Sequence, residues 1–259
     1  MNDKRHIETI IDTPYRLAAK GSNGCSNSYH GVRIHALPGL HEWIAEQFVH
    51  ILPHGSSLID LAAGAGALSL RLRDLGYTVS SCDYVTENFR PEDIPFTKIN
   101  LNEKFSGAID QTYDAIVAIE ILEHLENPRN LFREAWKLLR PGGHLFLSTP
   151  NIDNPVSKAY FARLGYFQWF SNNDYESEGH ITPVSFRQLQ WIIIETGFKI
   201  VLVDSYGNPW DRVQNWRSMR LLAKLLAWLM PDEIPQDEIL LLIVQKPVNN
   251  LSQTDELHS

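Results

Sequence analysis

The stretch Leu58-Ile59-Asp60-Leu61-Ala62-Ala63-Gly64-Ala65-Gly66-Ala67 decides the reading of this chain. An apolar run that ends in an acid and then in small residues reads as a buried strand, a tight turn and the start of a helix. Small residues let the backbone come close to a ligand, and the free N–H groups opening the helix predicted over 67–75 favour electron-rich groups. Asp60 adds a carboxylate at the end of the strand, suited to a ligand ammonium or hydroxyl. Thr78-Val79-Ser80-Ser81-Cys82 reads as a second strand and ends in Asp83, about 20 residues after the glycines, where a nucleotide-binding unit places the acid that holds ribose hydroxyls. A dinucleotide fingerprint needs a third glycine so that the helix packs close beside a pyrophosphate, and Gly64-Ala65-Gly66-Ala67-Leu68-Ser69 has none. S-adenosylmethionine has a ribose and a zwitterionic methionine tail, and it carries no phosphate.

Four blocks occur in order: the loop from Asp60 to Gly66, Cys82-Asp83-Tyr84, Tyr113-Asp114-Ala115-Ile116-Val117-Ala118-Ile119-Glu120-Ile121-Leu122-Glu123-His124, and Leu138-Leu139-Arg140-Pro141-Gly142-Gly143-His144-Leu145-Phe146-Leu147-Ser148-Thr149-Pro150-Asn151. On these the chain, over roughly residues 40–204, resembles the class I S-adenosylmethionine-dependent methyltransferases, and most nearly the ubiquinone-biosynthesis type of O-methyltransferase. One departure is visible: Ala62 stands where that family usually has a glycine directly after the Asp-Leu pair. The resemblance implies a cofactor site made of Asp60, Ala62, Gly64 and Gly66 after the first strand, Asp83 and Tyr84 after the second, Asn100 and Leu101 after the third, and Ile119 and Glu120 after the fourth. It implies that Asp83 binds both ribose hydroxyls, that Asn100 and Leu101 lie near the adenine, and that the backbone around Ile119 borders the methionine part. Read from the residues alone, each has a plain alternative: Asp83 as the cap of a turn and Tyr84 as ordinary aromatic packing.

Periodicity predicts strands at 57–61, 78–82, 97–100, 113–118, 143–148, 198–204 and 239–245, and helices at 38–52, 67–75, 128–139 and 185–196. Alternation of this kind predicts an α/β fold, a Rossmann-like doubly wound sheet of seven strands, mostly parallel. The resemblance adds one antiparallel strand at the sheet edge, and two insertions read as substrate lids. The expected organisation is a flexible or lid segment over 1–36, the methyltransferase domain over 37–246 with insertions at 151–184 and 205–237, and a disordered tail over 247–259.

Methyl transfer from a sulfonium needs the acceptor in line with the S–CH₃ bond, and a hydroxyl acceptor must also lose its proton to a base or have its pKa lowered by a metal. On a helix starting at Glu120, the residues Glu120, Glu123 and His124 would share one face just past the fourth strand. Equivalent residues in metal-dependent small-RNA 2′-O-methyltransferases join a later histidine as metal ligands, and by that resemblance the later residue here is His180. Two readings stay open: Glu120, Glu123, His124 and His180 hold Mg²⁺, Mn²⁺ or Zn²⁺, or His124 or His180 acts as general base without metal. Acidic residues in a first helical turn also stabilise a helix with no ligand at all.

The first insertion carries Tyr160, Phe161, Tyr166, Phe167, Trp169, Phe170 and Tyr175, a density suited to a lid over a flat or apolar acceptor. The second, Asp211 to Met230, mixes leucines and tryptophans with Arg212, Arg217, Arg220 and Lys224, so it either docks on its own domain or a twin subunit, or lies on a membrane surface. A net charge of −8 argues against a general nucleic-acid binder. Two cysteines, Cys25 and Cys82, make no disulfide framework, and Met1 to His6 is polar without the apolar core of a signal peptide, so a cytoplasmic enzyme is expected. The reading is a methyltransferase that uses S-adenosylmethionine to O-methylate a small-molecule hydroxyl. Its alternatives are methylation of RNA 2′-hydroxyls with a metal, and a cofactor-binding partner protein without turnover.

Overall fold

A computed structural model describes residues 27–231 and 234–248. A short hairpin, β1 (Ser28–Tyr29) and β2 (Val32–Arg33), precedes helix α1 (Leu40–Ile51), and the chain then alternates through β3 (Ser57–Leu61), α2 (Ala67–Asp74), β4 (Thr78–Asp83), β5 (Phe96–Lys98) and β6 (Tyr113–Ala118). It continues through α3 (Pro128–Leu138), β7 (Leu139–Pro150), α4 (Pro155–Leu164), α5 (Asn172–Glu178), α6 (Phe186–Thr196), β8 (Lys199–Tyr206), α7 (Arg217–Leu229) and β9 (Ile239–Gln245). Seven strands form one sheet in the order β5-β4-β3-β6-β7-β9-β8, and all neighbours are parallel except the pairs that β9 makes with β7 and β8.

The sheet is buried on both faces, which is why its strands are continuous apolar runs rather than alternating ones. Along β9 the residues Leu240, Leu242 and Val244 face one side, where Ile116, Leu145 and the helices α3 and α6 pack through Phe132, Leu189 and Ile193. Ile239, Leu241 and Ile243 face the other, against Leu58, Phe146 and the helices α1 and α2 through Phe48 and Leu68. Phe48 stacks on Phe146 with ring centroids 4.0 Å apart.

The strands and helices expected from periodicity are present, with ends shifted by a few residues. The antiparallel strand stands at the expected end of the sheet as its penultimate member: β9, apolar over Ile239–Val244, is buried on both faces, whereas β8 exposes Lys199, Ile200, Val201 and Asp204 and forms the outer edge. The helix expected to begin at Glu120 does not form. Glu120 adopts a positive φ of 49°, only a single 3-10 turn follows over Leu122–His124, and α3 waits until Pro128, whose ring disfavours helical geometry at Asn127. The flexible segment expected over 1–36 and the disordered tail over 247–259 fall on residues 1–26 and 249–259 outside the described residues, as does Cys25; residues 27–36 fold as the β1–β2 hairpin and its continuation, with Tyr29 Oη donating to Asp74 at 3.0 Å.

At the end of β3 the carboxylate of Asp60 is buried and accepts from Ser69 Oγ at 2.6 Å, and Ser69 in turn accepts from Ser81 Oγ at 3.0 Å, so one polar chain ties β3, α2 and β4 together. Burial holds the Asp60 carboxyl up at about 7. Because the folded state keeps this proton more tightly than the unfolded chain does at 3.8, the stability it contributes is complete below that value and is lost as pH rises through about 7. Asp60→Asn is expected to flatten this fall of stability with pH, measured by denaturant unfolding at several pH values. Beside it, Ala62 is held at a φ of 59°. A left-handed Ala costs about 1–2 kcal/mol, whereas a glycine adds about 0.5–1 kcal/mol of unfolded-state entropy to be lost. Ala62→Gly is therefore expected to raise the unfolding free energy of the ligand-free protein by about 0.5 kcal/mol, and a clear fall would contradict this strain.

Candidate functional site

The sequence of connections reverses direction between β3 and β6, so the crevice outside the carboxyl ends of β3, β4 and β6 is the place where such sheets bind ligands. A cleft of about 700 Å³, mouth included, opens there between Ala62, Asp83, Tyr84, Asn100, Leu101 and Ile121. Asp83 accepts from the N–H of Gly64 and of Val85, each at 2.9 Å. Burial raises its pKa, and these N–H bonds pull it back down. Tyr84 is not core packing: the residue is 62% exposed, with Lys98 Nζ 5.3 Å from its ring centroid. Asn100 accepts from the N–H of Asn102 and donates to Glu103, and Leu101 is buried beside it.

The two glycines do different jobs. A Cβ on Gly66 would stand 2.6 Å from Pro91 Cδ, so Gly66 lets the loop close on the segment after β4, while a Cβ on Gly64 would meet nothing within 4 Å. Asp60 lies behind this loop, lining neither this cleft nor its neighbour, and its oxygen is engaged by Ser69. Ile119 and Glu120 border the neighbour instead.

That neighbour is a cavity of about 840 Å³, open solvent at its mouth included, walled by Glu120, Glu123, His124, Trp169, Glu178 and His180, and closed on the amino-terminal side by His35, Ala36 and Leu37. Its acids are fixed from the end of β7. Ser148 Oγ donates to Glu120 Oε1 at 2.7 Å while accepting from the Glu120 N–H, and Thr149 Oγ1 donates to Glu123 Oε2 at 3.0 Å. His180 arrives from the first insertion because the carbonyl oxygen of Glu123 accepts from the N–H groups of Ile181 and Thr182 at 2.8 and 3.0 Å. Its Nδ1 lies 2.7 Å from the Trp169 carbonyl oxygen. A carbonyl only accepts, so the proton sits on Nδ1 and Nε2 keeps its lone pair, 3.4 Å from Glu178 Oε2.

The rings of His124 and His180 stand at 78° with centroids 4.8 Å apart, and one ligand atom from each of Glu123, His124 and His180 can be chosen so that all lie within 4.8 Å of one another. Glu120 lines the cavity but does not join that triad, since its carboxylate turns to Ser148. Burial, reinforced by neighbouring carboxyls, raises Glu120 and Glu178 to about 7 and Glu123 well above its ordinary value. Burial lowers His180, and burial together with His180 lowers His124 to about 3, so both imidazoles are neutral at neutral pH. A group of crowded acids beside two neutral imidazoles is an arrangement that a cation would relieve.

Of the seven aromatic residues in the first insertion, Trp169 alone lines the cavity. Phe161 stacks on Phe167, and Tyr160 packs edge-on against Trp216, so these rings hold the insertion together. Trp169 adopts a φ of 71° and is covered by the Arg212 guanidinium at 3.8 Å; Arg212 Nε and Gln168 Nε2 both donate to the buried Glu238 at 3.0 Å. Glu178, Ser148, Thr149 and the His35 to Leu37 segment escape sequence reasoning. Ser148 and Thr149 end a strand next to the acidic turn, which was the available signal.

Comparison with known proteins fits this geometry. Residues 34–203 match a family model described as a methyltransferase domain. Curated relatives include the ubiquinone biosynthesis O-methyltransferase of Proteus mirabilis, 32% identical over 41% of this chain and 46% of its own length, and that of Cupriavidus pinatubonensis, 30% identical over 50% of this chain and 55% of its own. The chain thus spans about half the length of these relatives. Similar solved structures include an S-adenosylmethionine-dependent methyltransferase from Archaeoglobus fulgidus, with a TM-score of 0.56 at 15% identity over 80% of this chain and 94% of that one, and another from Mesorhizobium loti, with a TM-score of 0.53 at 20% identity over 80% and 98%. At those identities the structures speak for the fold, while the family model covers more than half of the sequence, and on that match this chain belongs to the methyltransferase family that the model describes.

Proposed function

We propose that this chain transfers the methyl group of S-adenosylmethionine to a hydroxyl oxygen of a small molecule. The observation that carries the reading is that the two clefts share Ala62 and His124. A cofactor with its adenosine between Asp83 and Leu101 directs its sulfonium toward that shared wall, and an acceptor between Glu120, Trp169 and His180 meets it there. Holding donor and acceptor in line, with water kept away, supplies most of the acceleration such a displacement needs.

The acceptor proton goes to His180 Nε2, which stands 3.4 Å from Glu178 Oε2 in the cavity wall while Nδ1 stays anchored on Trp169. His124, lowered to about 3, is too weak a base for this step and serves as a wall or ligand. A second reading rests on the triad Glu123, His124 and His180, a donor set that suits a divalent cation with an open position. A bound cation would lower the pKa of the acceptor hydroxyl. The acids around the cavity disfavour a phosphate-bearing acceptor, which counts against RNA, as does the net charge of −8. A binding protein without turnover has no use for a basic lone pair held in the acceptor cavity. The cysteine usage of the sequence supports a cytoplasmic site of action.

Calorimetry with S-adenosylhomocysteine is expected to show binding that Asp83→Ala weakens by about 10- to 100-fold, since a carboxylate shared by two ribose hydroxyls contributes on the order of 1.5–3 kcal/mol; equal affinity would reject the ribose assignment. An untargeted metabolite screen with labelled methyl donor identifies the acceptor. With it in hand, His180→Ala is expected to lower turnover by about 10²- to 10⁴-fold while leaving S-adenosylhomocysteine affinity within about threefold. Turnover that survives both chelation and Glu123→Ala would remove the metal from the reading.

A further inference from the structure

Helix α7 presents two opposite faces. One docks on α4, where Met219 and Ala223 pack with Val156, Ala159 and Val213. The other is bare: Leu221, Leu225, Trp228 and Leu229 are 69, 52, 80 and 61% exposed. Leu221, Leu225 and Trp228 recur at intervals of four and three residues and so form one continuous apolar ridge. Arg217, Arg220 and Lys224 recur at intervals of three and four and form a parallel stripe beside it, all three exposed. None of these cations forms an ion pair among the described residues, and the sequence from 212 to 230 holds no Asp or Glu, in a chain whose net charge is −8. The amino end of the helix has neither a side-chain cap nor an acid in its first turn, so Arg217 and Arg220 face the positive pole of the helix without internal compensation.

We propose that this face of α7 docks on an anionic lipid surface, the ridge entering the headgroup boundary while the basic stripe pairs with lipid phosphates. Charge complementarity selects the occupant. An anionic bilayer is the one large surface that offers both negative charge along the stripe and an apolar layer directly beside it, whereas a nucleic acid offers the first without the second. A second copy of the chain seated with its α7 antiparallel across a two-fold axis would bring each basic stripe against its own image, which repels, and with α7 parallel each stripe would meet a flank that holds no acid. Among the described residues no helix is long and apolar enough to cross a membrane, so the contact is peripheral. The inference does not depend on the chemistry assigned to the cavity.

The test is co-sedimentation of the full chain with vesicles of phosphatidylcholine alone and of phosphatidylcholine with about 30% phosphatidylglycerol. Binding is expected to the mixed vesicles only, to fall steeply as salt is added, and to shift the tryptophan emission to the blue. Each charge removed, in Arg220→Gln or Lys224→Gln, is expected to weaken binding by about fivefold, and Trp228→Ser with Leu225→Ser to abolish it. These side chains are exposed, and unchanged affinity for S-adenosylhomocysteine would verify that the variants are folded. Absence of binding to the anionic vesicles, equal binding of the variants, or a dimer in sedimentation equilibrium that Trp228→Ser dissociates would each overturn the proposal.

Discussion

One carbonyl oxygen organises the chemistry of this chain. The main-chain oxygen of Glu123 takes hydrogen bonds from Ile181 and Thr182, more than fifty residues downstream, and thereby joins the turn after β6 to the far end of the first insertion. Without that junction His124 and His180 belong to separate parts of the molecule; with it their rings meet edge to face above a buried carboxylate. The Thr182 hydroxyl adds a second tie to the Leu125 carbonyl. The cavity is therefore bounded on one side by the sheet and on the other by a segment that the sheet itself holds down.

The electrostatics follow from the same closure. Glu120 and Glu123 are each served by one hydroxyl, Ser148 and Thr149, so neither finds the opposite charge that usually accompanies a buried acid. Their raised proton affinities and the depressed affinity of His124 share one cause, removal from water. Burial makes ionisation of these acids costly, and a positive guest among them would offset that cost.

Much of this was legible in the residues. Apolar runs at Leu58–Leu61 and Ile239–Val244, and the glycine turn after the first, fix strands that a doubly wound sheet must bury, and these are the positions where expectation and structure agree most closely. What the sequence did not reveal depends on contacts between distant segments. No local pattern announces that Glu120 turns back to Ser148 with a positive φ instead of opening a helix, or that Trp169 alone among seven aromatic residues reaches the cavity. Ala62 is intermediate: the family's preference for glycine there signals an unusual backbone, and the structure supplies the reason in its left-handed conformation.

Arg212 gives the two insertions a common fate. Its guanidinium covers Trp169 while its Nε holds Glu238, so the cavity wall and the approach to α7 are joined by one residue. The aromatic wall is consequently not a free flap: moving it would separate Trp169 from the Arg212 guanidinium and pull the neighbouring Gln168 off the buried Glu238. Forces applied to the exterior helix have a short mechanical route, only a few residues long, to the aromatic side of the cavity.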